Sequence, residues 1–142
     1  MTIAAICQRN LDTADAAESI QSAAQRMGTR NVGTLIVLSP SGRPAGILTD
    51  RDVAVRVAGR GRDPYATRVA DVMTTELETI TEDVPVEEAL SRMRARGVRR
   101  LPVVDRQGRC SGIVTMDDVL AHLVREFGVL GRLLSVSSPG VD

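Results

Sequence analysis

The chain has 142 residues, of which 43% are hydrophobic and 25% charged, a composition typical of a folded globular protein rather than a disordered or fibrous one. Its 18 basic residues, all of them arginine, balance 18 acidic residues, so the sequence gives no general positive field for coating nucleic acid, and we expect no nucleic-acid partner. The length allows one domain or two very small ones, and we do not expect a large multidomain enzyme.

The N-terminal region and the cysteines predict the compartment and the redox state. Residues 1–6 lack the charged and apolar regions of a secretory signal, and no apolar run approaches the ~20 residues of a membrane span. We therefore expect a cytoplasmic protein without membrane insertion. Cys7 and Cys110 have no C-x-x-C spacing, and His122 is the single histidine. Two separately buried free thiols are thus expected, with no metal site.

An internal repeat organises the chain. Residues 46–53 (GILTDRDV) match residues 112–119 (GIVTMDDV) at an offset of 66, which also pairs Met27 with Met93 without a gap. We therefore expect two copies of one unit. The predicted boundaries are repeat 1 at 1–60, a linker at 61–71, repeat 2 at 72–127, and an apolar C-terminal segment with a tail at 128–142.

Each copy predicts the same order of elements. A helix follows from apolar residues at i, i+3, i+4 and i+7, and short apolar runs separated by turn residues then predict a β-hairpin that ends at Thr49 or Thr115. A last helix begins near Asp52 or Asp118. If the short segments at Ile6 and Val72 count as strands, each unit is β-α-β-β-α. The helix stripes are Ile20, Ala23, Ala24 and Met27 in the first copy and Val86, Ala89, Leu90 and Met93 in the second.

The two units are expected to pack on each other about a pseudo-twofold axis, because neither buries both faces of so small a sheet alone. The fold class is therefore α/β (α+β). The apolar residues from Phe127 to Leu134 have no counterpart in the repeat and serve either to cap the core or to contact another subunit. Residues 135–142 are expected to be a frayed tail.

The repeated Thr-x-x-Asp motif, Thr49 to Asp52 and Thr115 to Asp118, has two compatible interpretations. In the first, the threonine and aspartate form a capping box at the start of a helix. In the second, the helix start offers backbone N–H groups to a phosphate while the carboxylate accepts the hydroxyls of a ribose.

Several spaced motifs carry a family resemblance. Residues 71–74 (DVMT), 88–90 (EAL), 97–105 (GVRRLPVVD) and 112–118 (GIVTMDD) resemble a cystathionine-β-synthase (CBS) domain, and residues 46–52 (GILTDRD) resemble it more loosely. Together the copies resemble a tandem CBS pair, or Bateman module. The short form, with LTDRD at the end of the first copy, is similar to bacterial stress or hypoxia-response CBS proteins.

The resemblance implies two clefts between the units, each able to hold an adenosine-containing ligand: AMP, ADP, ATP or S-adenosylmethionine. No cofactor is implied as a requirement. Position by position, it implies that one cleft is formed by Thr49, Asp52, Met73, Val98, Arg99 and Arg100. It implies that the other is formed by Thr115, Asp118, Cys7, Val32, Gly33 and Thr34.

The two implied clefts differ in charge. Gly33 and Thr34 stand in the first copy where the second has Arg99 and Arg100. Because arginine side chains are natural partners of phosphate, we expect the cleft with both arginines to favour phosphorylated ligands and the other to be weak or empty. The alternative is that these arginines are solvated surface charges.

Three classes of function remain to be compared. The first is a regulatory module that binds an adenosyl ligand and transmits binding to a partner by a conformational or oligomeric change. The second is a structural or interaction homodimer that docks to a client enzyme or transporter through its apolar segment. An enzyme is not expected, because one histidine and scattered carboxylates assemble no catalytic constellation. In either of the first two classes we expect a homodimer.

Overall fold

The computed structural model describes residues 1–137 and contains two three-stranded sheets, ordered β1-β2-β3 and β4-β5-β6. The first unit comprises β1 (Thr13–Ala14), α1 (Ile20–Arg30), β2 (Thr34–Leu38), β3 (Pro44–Thr49) and a helical segment that begins as α2 (Asp50–Asp52) and continues as a π-helix (Val53–Val57) and a 3-10 turn (Ala58–Arg60). The second comprises β4 (Ile80–Thr81), α3 (Val86–Arg96), β5 (Arg100–Val104), β6 (Cys110–Thr115) and α4 (Met116–Ser137).

The two sheets have the same topology and register. In each, the first strand is parallel to the second, and the second is antiparallel to the third. Thr34 pairs with Thr49 in the first sheet, and Arg100 pairs with Thr115 in the second. These pairs lie 66 residues apart, so the predicted mixed α/β fold of two repeated units is confirmed at the level of strand pairing.

Helices α1 and α3 bury three of the four residues in each stripe that their spacing predicts, whereas Ala24 and Leu90 are only partly buried. Three side chains of each helix are buried against the sheet of its own unit. The Oγ atom of Ser19 accepts a 3.1 Å hydrogen bond from the backbone N–H of Ser22 at the start of α1. Asn31 and Gly97 end the two helices in left-handed conformation. The chain thus turns into β2 and β5 at equivalent places.

Each unit completes its core with a segment from the other half of the chain. Ile3 is fully buried in the core of the second unit, whereas Val69 and Val72 are buried in the core of the first. Isolated antiparallel bridges join Gln8 to Ile113 and Thr74 to Ile47. The exchange interlocks the units and brings the start of each copy to the sheet of the other.

The strands expected at Ile6 and Val72 were wrong. Short 3-10 turns lie at Ile3–Ala5 and Val69–Asp71, and the backbone N–H of Ile6 bonds to the carbonyl of Ile3 at 3.0 Å. In these turns the backbone groups bond within the segment itself, so they are not available to a neighbouring strand. After each turn, a single bridge, at Gln8 or Thr74, joins the segment to a sheet. The first strand of each unit is instead β1 or β4.

The segment predicted as separate at 128–142 continues the last helix of repeat 2. Helix α4 runs unbroken to Ser137, so residues 135–137 are helical rather than frayed, and residues 138–142 lie outside the described part of the chain. Phe127 and Leu130 are 70% and 54% exposed, so this stretch does not cap the core. No helix within residues 1–137 combines the length and apolarity needed to cross a membrane.

Candidate ligand-binding clefts

Two cavities lie where the sheet of one unit meets the segment that crosses to it from the other unit. We call residues 8–12 and 74–78 the exchanged segments. We call the cavities cleft I, of about 370 Å³, and cleft II, of about 270 Å³. Small-molecule pockets usually span ~300–1,000 Å³, so cleft I lies within this range and cleft II just below it. Cleft I is lined by Gln8, Asn10, Leu11, Asp12, Val32, Gly33, Thr34, Ile36, Arg100, Ile113, Thr115, Asp117 and Asp118. Cleft II is lined by Ile47, Thr49, Thr74, Glu76, Leu77, Glu78, Val98, Arg99, Arg100 and Pro102.

The clefts are duplicates of each other. Every residue that lines cleft II stands 66 positions from a residue that lines cleft I, as Thr74 does from Gln8 and Thr49 from Thr115. Three residues line cleft I without a counterpart in cleft II: Arg100, Asp117 and Asp118. The repeat therefore produces two pseudo-equivalent pockets with different side chains at matched places.

The Thr-x-x-Asp motif forms a capping box in both units. Thr49 Oγ1 accepts from the backbone N–H of Asp52 at 3.1 Å, and Asp52 Oδ2 accepts from the N–H of Thr49 at 3.0 Å. The Thr115–Asp118 pair repeats this with distances of 3.1 and 2.8 Å. The capping interpretation is confirmed. Each carboxylate has further acceptor positions, so capping leaves room for a ligand.

Cleft II gathers four of the six residues that the family resemblance implies for it. Thr49, Val98, Arg99 and Arg100 line the cavity. Asp52 does not line it, and its carboxylate lies 3.7 Å from the guanidinium of Arg56. Met73 does not either, because its side chain packs on the first core, beside Gly46.

Cleft I gathers five of its six implied residues. Thr115 and Asp118 line the cavity together with Val32 and Gly33, which precede β2, and Thr34, its first residue. Cys7 does not, because it packs on the second core, with its sulfur facing Gly112. Oδ1 of Asp118 accepts a 2.7 Å hydrogen bond from the side-chain amide of Gln8.

The clefts differ in charge. The sequence indicated that Arg99 and Arg100 lie in one cleft, but not that Arg100 also reaches the other. Within residues 1–137, neither the Arg99 nor the Arg100 guanidinium has an ion pair or a side-chain hydrogen bond. In cleft II they face Glu76 and Glu78, of which Glu78 pairs with Arg96 at 3.0 Å. Arg100 also lines cleft I, so the expected assignment of both arginines to one cleft was incomplete.

Sequence reasoning missed the segments that close the clefts. Gln8 and residues 10–12 line cleft I, and their counterparts 74 and 76–78 line cleft II. The constant offset aligned these segments, but it did not show that each crosses to the sheet of the other unit. Asp12 in cleft I pairs with Arg30 at 2.9 Å. Asp117, which also lines cleft I, has no ion pair among the described residues.

Both cysteines are free thiols with intermediate exposure. Burial raises the pKa of each thiol above its ordinary value, and for Cys7 the nearby Arg9 opposes part of this increase. The thiols are therefore protonated at neutral pH. Within residues 1–137, no three side chains of the metal-binding types come together as a metal site.

Interlocked repeats with duplicate clefts define a tandem module of two pseudo-equivalent units. A family model described as the CBS domain matches residues 3–59 and 69–125. The chain therefore belongs to the CBS-domain family, as a tandem pair.

Three similar proteins illustrate the range of the family. The uncharacterized protein MK0525 of Methanopyrus kandleri is 32% identical over 84% of this chain, which spans only 61% of that protein. Hypoxic response protein 1 of Mycobacterium tuberculosis is 30% identical over 86% of this chain and 84% of its own length. A crystal structure of the CBS domain pair of protein MJ0100, in complex with 5-methylthioadenosine and S-adenosyl-L-methionine, matches with a TM-score of 0.76 and 28% identity, over 87% of this chain and 99% of that one.

Proposed function

We propose that this protein is a regulatory module that binds an adenosine-containing ligand in clefts I and II and passes the binding event to a partner as a conformational or oligomeric change. The observation that carries the proposal is the duplication of the clefts, each built around a threonine of a capping box. The MJ0100 pair, a homologue of the same fold, is described in complex with two adenosyl compounds.

The residues of cleft I suit a nucleoside. The Asp118 carboxylate accepts hydrogen bonds and lies beside Thr115, so it offers acceptors to the hydroxyls of a ribose. Ile36 and Ile113 supply the apolar surface that a purine requires. In cleft II the equivalent surface comes from Ile47 and Pro102.

The unpaired arginines favour a phosphate in cleft II. Arginine binds phosphate through paired N–H donors, and such charge-assisted hydrogen bonds are roughly twice as strong as neutral ones. Since Arg99 and Arg100 have no partner within residues 1–137, a ligand would not have to break an existing ion pair. AMP, ADP and ATP are thus the candidates for cleft II, and S-adenosylmethionine is a further candidate for cleft I.

The test is calorimetric titration of the purified protein with AMP, ADP, ATP and S-adenosylmethionine. We expect at least one to bind, and we expect Asp118→Asn to weaken binding in cleft I while the matched variant Asp63→Asn, which is away from both clefts, does not. Asn keeps an oxygen for the cap, so the fold is retained. Absence of binding by all four ligands at millimolar concentration would overturn the proposal.

A second candidate function is self-association through α4. The side chains of Met116, Leu120, Leu123, Phe127 and Leu130 follow one another at alternating spacings of four and three residues, which is the pattern of a helix seam. All but Met116 are at least 40% exposed. A seam of this kind fits another helix with the same pattern, so we propose that a second copy of this chain covers it, forming a homodimer. In the interaction-protein alternative, this dimer would dock to a client enzyme or transporter without a ligand.

A further inference from the structure

We propose that Arg100 is shared by clefts I and II, so that an anionic group bound in one cleft withdraws the guanidinium from the other. The inference rests on the proposed nucleotide binding and adds its regulation. The two clefts would then not hold two phosphorylated ligands with equal affinity. A phosphorylated nucleotide in one cleft would leave the other to a neutral or cationic adenosyl ligand.

The position of Arg100 supports this sharing. Among the residues that line the two clefts, Arg100 alone belongs to both. It is the first residue of β5 and pairs across the sheet with Thr115, the motif threonine of cleft I. Its counterpart Thr34 pairs with Thr49 in the same way, yet the short side chain of Thr34 lines cleft I only.

The side chain of Arg100 is able to serve either cleft. It is half-buried, and within residues 1–137 it has neither an ion pair nor a side-chain hydrogen bond that would hold it on one side. Arginine is long and carries five donors in a fixed fork. One guanidinium cannot give all of these donors to two anions at once. An anion that binds Arg100 in one cleft therefore lowers the affinity of the other cleft for an anion.

The surrounding charges decide which cleft has priority. Cleft II contains a second arginine, Arg99, whereas Arg100 is the only arginine among the described residues that line cleft I. Three carboxylates line cleft I, those of Asp12, Asp117 and Asp118, against one arginine, whereas the two carboxylates of cleft II, those of Glu76 and Glu78, face two arginines. An anionic ligand in cleft I therefore depends on Arg100 alone. We expect the first phosphorylated nucleotide to enter cleft II and to lower the affinity of cleft I for a second.

The test compares AMP with adenosine, two ligands that differ by the phosphate. In calorimetric titrations of the wild-type protein at low salt, we expect AMP to bind one site per chain, with the second site weaker by about tenfold or more, the value of one charged hydrogen bond. Adenosine should show no such coupling. Because this comparison uses only the wild-type protein, it does not depend on how any variant folds.

Two substitutions make the test specific for Arg100. Thr34→Arg adds a second arginine at the position equivalent to Arg100, so the clefts no longer depend on one shared guanidinium, the second AMP should gain affinity and the coupling should shrink. Arg100→Gln should abolish the coupling by weakening AMP in both clefts, and it should weaken adenosine much less than AMP. Arg106→Gln, in the hairpin turn away from the clefts, is the matched control.

The outcomes separate this inference from the proposed function. Two AMP molecules bound with equal affinity would overturn the sharing of Arg100 and leave nucleotide binding intact. A cleft I that binds neither AMP nor adenosine would also overturn it, because the asymmetry would then not depend on charge. If neither AMP nor adenosine binds the wild-type protein, this inference fails, whereas the proposed function fails only if ADP, ATP and S-adenosylmethionine do not bind either.

Discussion

The side-chain amide of Gln8 donates a 2.7 Å hydrogen bond to Oδ1 of Asp118, across the boundary between the two units. Its counterpart in cleft II is Thr74, whose short side chain has no such bond to Asp52 among the described residues. Both oxygens of the cleft I carboxylate thus accept a hydrogen bond from the protein, Oδ2 from the backbone N–H of Thr115 and Oδ1 from Gln8. A ribose hydroxyl that needs Oδ1 has to compete with the amide.

Replacement of Gln8 by threonine should tighten adenosine binding in cleft I. The variant Gln8→Thr copies the residue of cleft II and frees Asp118, and a net hydrogen bond to a charged group corresponds to ~1.5–3 kcal/mol at most. Because the amide is exposed, we expect the lower part of this range, a gain of about tenfold in affinity. Calorimetric titration measures it, with Gln25→Thr on the exposed face of α1 as control. Unchanged or weaker binding would show that Gln8 does not compete with the ligand.

Loss of the capping threonine should lower the stability of the protein even when no ligand is present. Thr115→Ala removes the oxygen that accepts the N–H of Asp118 at 3.1 Å, and such caps contribute ~1 kcal/mol. For a chain of this size we expect the melting temperature of the ligand-free protein to fall by about 2–4 °C.

The serine variant separates the cap from the methyl group of threonine. Thr115→Ser keeps the hydroxyl and should recover most of the melting temperature, whereas Thr75→Ala, at an exposed threonine without a cap, should change it little. Equal melting temperatures for Thr115→Ala and the wild-type protein would mean that the capping box does not contribute to stability.

Close approach of the exchanged segment to β6 predicts that Gly112 does not tolerate a side chain. A Cβ atom at Gly112 would lie 2.8 Å from the backbone oxygen of Gln8, which accepts from Ile113 in the bridge between the units. Backbone moves less easily than a side chain, so Gly112→Ala should cost ~1–3 kcal/mol. Urea unfolding measures this loss.

The matched glycine variant should have the opposite sign. Gly28 lies inside α1, and a Cβ atom added there would meet no atom of the surrounding structure within 4 Å. Gly28→Ala should therefore stabilise the protein by ~0.5–1 kcal/mol through helix propensity. If Gly112→Ala were as stable as the wild-type protein, the interlocking of the two units at this point would be looser than the geometry indicates.

Repetition in the sequence predicted most of the fold but not the exchange of segments. Equal spacing placed the helices, the hairpins and the Thr-x-x-Asp motifs, because these depend on local periodicity and turns. The segments at Ile6 and Val72 carry no strand pattern of their own, and each joins the sheet of the other unit through one bridge. Such a long-range contact leaves no local signal.

The same reasoning explains which cleft residues were found. Thr115 and Arg100 lie at the ends of predicted strands and belong to the motifs for which the family resemblance implies ligand contacts. Gln8 and Asp12 lie in an irregular segment whose place in the cleft depends on the packing of both units. Hydrophobic periodicity therefore did not indicate that Gln8 and Asp12 line the cleft, although the constant offset did pair them with Thr74 and Glu78.

The partly buried thiol of Cys110 predicts a loss of stability at alkaline pH. Burial raises the pKa of this thiol in the folded protein, so the folded state holds the proton more tightly than the unfolded state. The resulting stability is fully present below the unfolded pKa of about 8.5 and is lost as the pH rises through the folded pKa. The chain has no lysine, so few other groups titrate in this range.

Urea unfolding at pH 7, 8.5 and 10 provides the measurement. The free energy of unfolding of the wild-type protein should fall between pH 8.5 and 10, and Cys110→Ser, which does not titrate, should fall less. Cys7→Ser should show the same sign because burial also raises the pKa of Cys7. A Cys110→Ser variant whose pH dependence parallels that of the wild-type protein would contradict the increase in pKa.

The exposed seam of α4 predicts self-association that one charge should disrupt. Phe127 is the most exposed residue of the seam, at 70%, and burial of a charge between two helices is strongly unfavourable unless the charge is paired. Phe127→Arg should therefore convert the dimer to a monomer in sedimentation or light-scattering measurements. Val129 is 44% exposed on the opposite side of the helix, so Val129→Arg adds the same charge outside the seam and should leave the mass unchanged. A monomeric wild-type protein, or equal effects of the two substitutions, would contradict a dimer built on this seam.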